Sequence, residues 1–166
     1  SYHSGDWFNR LDYSRQSHNW GIGLPPERDN RDRWPLLAPL LADRALRPGP
    51  PEIEAAYRHF MEMLAIRRST PLFRLPSASE IGRRLVFFNT GPEQIPGILG
   101  FWIADSEGAF DREHERIVVL LNAGAETETV DVEELRGEAL TLHPVLRRSY
   151  DSVARAASFH RPAGAA

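Results

Sequence analysis

The sequence predicts an α+β chain in which a loop-and-helix part precedes an antiparallel β-sandwich. Three observations predict this. One strong amphipathic helix falls at about residues 51–68. Short apolar runs separated by turn signals fill the chain after residue 70, and the first 35 residues are polar, aromatic and without periodicity.

Residues 1–35 read as loop, because Gly21-Ile22-Gly23, Pro25-Pro26 and Asp29-Asn30 punctuate them densely. Trp34 to Leu41 begins a short helix with Pro35 in its first turn, and Pro39 limits its regularity. Pro48-Gly49-Pro50 then breaks the chain, and Pro51 suits a first helical position. Ile53, Ala56, Tyr57, Phe60 and Leu64 recur at spacings of three and four, which makes one core-forming stripe. Arg67 and Arg68 complement the helix dipole, and Pro71 ends the helix.

Five strands are expected beyond it. Leu85–Phe88, Ile98–Ile103 and Ile117–Asn122 are compact apolar runs closed by Asn89-Thr90-Gly91-Pro92, Asp105-Ser106-Glu107-Gly108 and Ala123-Gly124. Thr127–Val132 alternates like a half-exposed strand, and Ala139–Pro144 supplies another. The domain boundary is expected near residue 70, giving domains 1–70 and 71–166. The chain starts without Met, and Ser158–Ala166 begins like a strand and stops. A longer protein cut at both ends, with its last strand truncated, is therefore expected.

Composition narrows the function. The net charge of −3 gives no electrostatic case for nucleic acid, and no apolar run approaches the ~20 residues of a membrane helix. All 20 basic residues are Arg, so lysine chemistry is absent; zero Cys removes disulfides, thiol nucleophiles and cysteine-bound metals. Asp29, Asn30 and Asp32 match no calcium-loop spacing and read as a solvated turn. His18, His59, His114, His143 and His160 show no metal-like pairing, and Glu113, Glu115, Glu133 and Glu134 read as solubilising charge.

The first ten residues carry the chemistry. Asp6, Trp7, Phe8, Asn9 and Arg10 set a carboxylate, two rings, an amide and a guanidinium in one short stretch. Rings stack on pyranose faces while Asp and Arg bind hydroxyl groups, so the combination suits a sugar. By spacing alone, Asp6 and Arg10 also read as a surface ion pair one helical turn apart. Trp20 and Trp34 read as packing anchors rather than sugar platforms.

Asp6–Arg10, followed by Leu11-Asp12-Tyr13 and Gly23-Leu24-Pro25-Pro26, resembles the pullulanases and related debranching enzymes of the alpha-amylase superfamily of glycoside hydrolases. The likeness continues through Ala65-Ile66-Arg67-Arg68-Ser69-Thr70-Pro71-Leu72-Phe73-Arg74, Phe87-Phe88-Asn89-Thr90-Gly91 and Ile117–Asn122. His3 is a departure, standing where these enzymes usually carry Asp. The resemblance implies the end of a TIM-type barrel, with substrate loop 1–35 and its last helix, followed by the C-terminal sandwich. It implies donor-side sugar contacts from Asp6 and Arg10, with Trp7, Phe8 and Asn9 in the same loop.

The implied reaction is retaining hydrolysis of α-1,6-glucosidic branch points in pullulan, starch or limit dextrins. The three carboxylates it needs are expected upstream of Ser1. This chain therefore supplies no catalytic residue and is expected to be inactive alone. It holds no cofactor or metal, with calcium left as an option for the parent enzyme. Its expected partners are an α-glucan and the upstream barrel, and without that barrel it is expected to self-associate or self-pack. Two other readings stand beside this one: a free-standing carbohydrate-binding sandwich with Trp102 as platform, and a purely structural module.

Overall fold

A computed structural model describes residues 10–20 and 22–160. They form two compact units, one ending at Met61 and the other beginning at Glu62, so the division falls within the long helix.

In the first unit, short helix α1 (Glu27–Asn30) runs through one 3-10 turn into α2 (Trp34–Ala42). Pro35 sits in the first turn of α2 and Pro39 inside it, as the sequence reading expects. Helix α3 (Pro50–Ser69) then follows. Glu52 accepts from the Gly49 amide at 2.8 Å, which satisfies one donor at the helix start. The stripe departs from expectation. Ile53 is buried, but Phe60, Met61 and Leu64 are exposed, Phe60 by 60%. A stripe is buried only where another layer meets it, and among the described residues none covers this part of α3.

In the second unit, Thr70 caps the 3-10 turn Pro71–Arg74 by accepting from the Leu72 amide at 3.1 Å, and Leu72 is fully buried. Ser77 caps α4 (Ala78–Arg84) in the same way. Strands β1 (Leu85–Phe88), β2 (Ile98–Ala104) and β3 (Arg116–Asn122) make one antiparallel sheet in the order β1-β2-β3. Its register pairs Phe87 with Phe101, Phe101 with Val119, and Phe88 with Gly100. The bare Cα of Gly100 makes room for the Phe88 ring: a Cβ there would lie 2.1 Å from it. That ring stacks on Trp102 with centroids 5.7 Å apart.

Asn89 closes the β1–β2 turn in the left-handed region, at φ 54°. Its amide donates to the Ile95 and Ile98 carbonyls at 3.1 and 2.9 Å, and its oxygen accepts from the Ile95 amide at 2.7 Å. After β3 come a 3-10 turn at Glu133–Leu135 and helices α5 (Pro144–Arg147) and α6 (Ser152–Ala156).

Two sequence-derived strands are corrected. Residues 127–132 and 139–143 are irregular, Pro144 begins α5, and among the described residues the expected sandwich is represented by a single three-stranded sheet. The alternation that suggested them survives as burial: Val130, Val132, Leu140 and Leu142 are half-buried. A period of two fixes which side chains face inward, but a strand also needs a partner ladder, and these segments have none among the described residues. Residues 157–160 are likewise irregular.

Candidate functional site

Of the five predicted sugar contacts, Asp6, Trp7, Phe8 and Asn9 lie outside the described residues. Arg10 lies within them, exposed, immediately before a closed turn. That turn is built on Asp12. Its carboxylate accepts from the Ser14 hydroxyl at 2.7 Å, the Ser17 hydroxyl at 2.6 Å and the Gln16 amide at 3.2 Å. The Asp12 amide donates to the Ser17 carbonyl, and Leu11 pairs with His18 in an antiparallel bridge. The Ser17 hydroxyl above all, then that of Ser14, holds the Asp12 carboxyl at a pKa of about 2.

Three side-chain contacts tie this turn to the start of α3. The Trp20 amide donates to His18 Nδ1 at 2.8 Å, so the neutral ring carries its proton on Nε2 and donates it to the Pro48 carbonyl at 2.9 Å. The Arg15 guanidinium lies 4.0 Å from the centre of the Tyr57 ring, and its Nε is 3.8 Å from Glu54. Between turn and helix lies an apolar groove of about 540 Å³, lined by Leu11, Trp20, Ile53, Tyr57 and Phe60 among others.

The two loop tryptophans differ in setting. Trp34 donates from Nε1 to the Pro25 carbonyl at 2.9 Å. Trp20 lines the groove. The Asp29-Asn30-Asp32 stretch is corrected in part: Asn30 is fully buried, its amide donating to the Pro26 carbonyl at 3.0 Å, so this is a packed turn rather than a solvated one. Among the described residues no three His, Asp or Glu gather as a metal would require.

The second unit holds a polar centre that sequence reasoning missed. Asp105 is fully buried at the end of β2 and meets Arg84 Nη1 at 2.6 Å. It also accepts from the amides of Ala109, Phe110 and Asp111. Burial pushes its pKa up, but these amides and Arg84 together bring it below the usual carboxylate value. Asp111 accepts from the Thr70 hydroxyl at 2.6 Å, the Glu113 amide at 2.9 Å and the His114 ring at 3.0 Å. Burial raises its pKa as well, yet Thr70, Glu113 and His114 hold it at about 2. The Asp105-Ser106-Glu107-Gly108 turn was legible; the guanidinium waiting 21 residues earlier was not.

The Ser69–His143 pair is not arranged as an activated nucleophile. Ser69 lies 3.1 Å from His143 Nε2, but His143 Nδ1 accepts from the Val145 amide at 3.2 Å. The neutral ring therefore donates to Ser69 instead of taking its proton, and the Ser69 hydroxyl donates to the Ile66 carbonyl at 2.7 Å. Trp102 is 8% exposed, packed against Phe88 and the Arg116 guanidinium, so it offers no open ring face as a sugar platform.

No helix among the described residues is long and apolar enough to cross a membrane. Loop, long helix and antiparallel sheet, in that order, define an α+β region. The chain belongs to the family described as alpha-1,6-glucosidases, pullulanase-type, C-terminal, whose model matches residues 15–166. It is 42% identical over 161 residues to a chloroplastic pullulanase of Arabidopsis thaliana, covering 93% of this chain and 17% of that protein. It is 34% identical over 148 residues to a Klebsiella pneumoniae pullulanase, covering 87% and 13% respectively. The chain thus spans less than a fifth of these relatives' length.

Crystal structures of Klebsiella pneumoniae pullulanase superpose on it at 32% identity. The apo form gives a TM-score of 0.74, covering 86% of this chain and 15% of that one. A maltotriose complex gives 0.72, covering 87% and 14%.

Proposed function

We propose that this chain is the C-terminal part of a retaining debranching hydrolase that cleaves α-1,6-glucosidic branch points in pullulan, starch or limit dextrins. In this reading residues 1–70 close the catalytic barrel and residues 71–166 form a supporting antiparallel β-domain, its sheet one layer of a sandwich. Asp6 and Arg10 bind the donor-side glucose, with Trp7, Phe8 and Asn9 in the same wall. The nucleophile and acid, about 5–5.5 Å apart in a retaining enzyme, belong to the parent's barrel. The chain itself holds no cofactor.

The observation that carries the reading is membership of the pullulanase-type C-terminal family across residues 15–166. The sugar contacts rest further on the Asp6–Arg10 resemblance. The exposed Phe60, Met61 and Leu64 on α3 support a covering body, which the barrel would supply in the parent and a second copy would supply for the isolated chain.

Titration of the 166-residue chain with maltotriose, beside a pullulan hydrolysis assay, tests it. Expected are saturable binding that Arg10→Ala weakens and no release of reducing ends. Binding indifferent to Arg10→Ala, or hydrolysis by the chain alone, would overturn the proposal.

A further inference from the structure

We infer that Arg15 and His18 are positioning residues for Arg10, clasping the chain directly after it to the start of α3. This role rests on the proposed reading of Asp6 and Arg10 as glucan contacts.

The Asp12 turn closes by itself. Two hydroxyls, one amide and the Asp12–Ser17 backbone bond complete it without help from elsewhere. A turn that served only to reverse the chain would favour Gly or Asn at its left-handed position. Arg15 stands there instead, at φ 61°. From that position its guanidinium covers the Tyr57 ring at 4.0 Å and approaches Glu54 at 3.8 Å, both on α3.

On the returning arm of the turn, His18 spans 30 residues to the Pro48 carbonyl just before α3. The Trp20 amide fixes its ring through Nδ1. His18 also pairs with Leu11, the residue after Arg10. Leu11, the residue bridged to the anchor, therefore lies one Cα step, ~3.8 Å, from the proposed sugar contact. Glu54 makes a second ion pair with Arg58 at 2.9 Å, so the carboxylate facing Arg15 is itself held in place. A loop fixed at its tip by Arg15 and on its returning arm by His18 carries Arg10 at a defined place on the first unit. Released from them, Arg10 would sample many places, and a binding geometry lost by about 1 Å is costly.

The test titrates the whole chain with maltotriose in four variants, with helical circular dichroism as the folding check. Arg15→Gly suits the left-handed backbone and removes the guanidinium; His18→Ala removes the bridge to Pro48. Each is expected to weaken maltotriose binding about tenfold, the scale of one or two lost well-oriented hydrogen bonds, with the helical signal unchanged. Arg15→Lys, which keeps a cation able to reach Tyr57 and Glu54, is expected to restore most of the affinity.

Two outcomes overturn the positioning role alone: Arg15→Gly and His18→Ala binding as tightly as the unaltered chain while Arg10→Ala loses binding, or Arg15→Lys proving as weak as Arg15→Gly. Failure of the unaltered chain to bind, or indifference to Arg10→Ala, overturns the glucan-contact reading and the positioning role with it.

Discussion

Arg84 and Asp105 meet at 2.6 Å in the interior of the second unit, the carboxylate fully buried and the guanidinium 7% exposed. The pair joins the last residue of α4 to the end of β2, and Arg84 makes further contacts beside it. Arg84 Nε is 2.9 Å from Glu80, and its Nη1 also reaches the Ala104 carbonyl. Removing the Asp105 carboxylate leaves Arg84 with Glu80 as its one remaining ion pair among the described residues and takes the acceptor from the Ala109, Phe110 and Asp111 amides. Asp105→Ala is expected to destabilise the protein by about 3–5 kcal/mol, measured by urea unfolding. A loss under 1 kcal/mol would show that the pair is better hydrated than its burial implies.

Asp111 gives the acid limb of the stability profile. Its folded pKa of about 2 lies below the unfolded value near 3.9, so the unfolded chain binds more protons. The stabilisation is present above about pH 4 and is lost as pH falls towards 2. Asp105, also lowered, adds to the same limb. Asp111→Asn is expected to be less stable than the unaltered protein at pH 7, with the difference closing as pH falls through that window. Parallel stability curves from pH 7 to 2 would contradict this.

His143 gives a second limb at higher pH. Burial first, then the nearby His114 and Arg147, lower its pKa from the usual histidine value. Here too the unfolded state binds more protons, so stability is present above about pH 6.5 and falls as pH drops below it. His143→Gln is expected to lose this limb while keeping the one below pH 4, as followed by thermal melting across pH 4–8.

Gly100 tests the sheet packing. An added Cβ would sit 2.1 Å from a ring that already stacks on Trp102, so the ring would have to give up that stacking to make way. Gly100→Ala is expected to cost about 1–3 kcal/mol through overpacking. Combining it with Phe88→Leu should recover part of that loss. A neutral Gly100→Ala would mean the ring moves freely.

The parts of the fold legible in the sequence were those written in consecutive residues. Leu85–Phe88, Ile98–Ile103 and Ile117–Asn122 are dense apolar runs closed by Asn89-Thr90-Gly91-Pro92, Asp105-Ser106-Glu107-Gly108 and Ala123-Gly124, and α3 announces itself through Pro51 and the spacing from Ile53 to Leu64. Thr127–Val132 and Ala139–Pro144 had the right alternation, but pairing depends on a neighbour that alternation does not specify. The Asp12 turn and its clasp were illegible for a related reason: His18 finds Pro48, and Arg15 finds Glu54 and Tyr57, only once the chain folds back. Arg84 and Asp105 are the same case in the second unit. Of the candidate sugar contacts, Arg10 alone falls among the described residues, where it is exposed immediately before the Asp12 turn.

The most direct measurement grafts this chain onto the preceding part of the Klebsiella pneumoniae pullulanase, in place of the matching region, and assays pullulan cleavage. The account predicts a chimera that opens α-1,6 links and leaves α-1,4 links intact, with Asp6→Ala and Arg10→Ala each lowering kcat/KM by about tenfold or more. A folded chimera inactive on pullulan, or one indifferent to both substitutions, would contradict it.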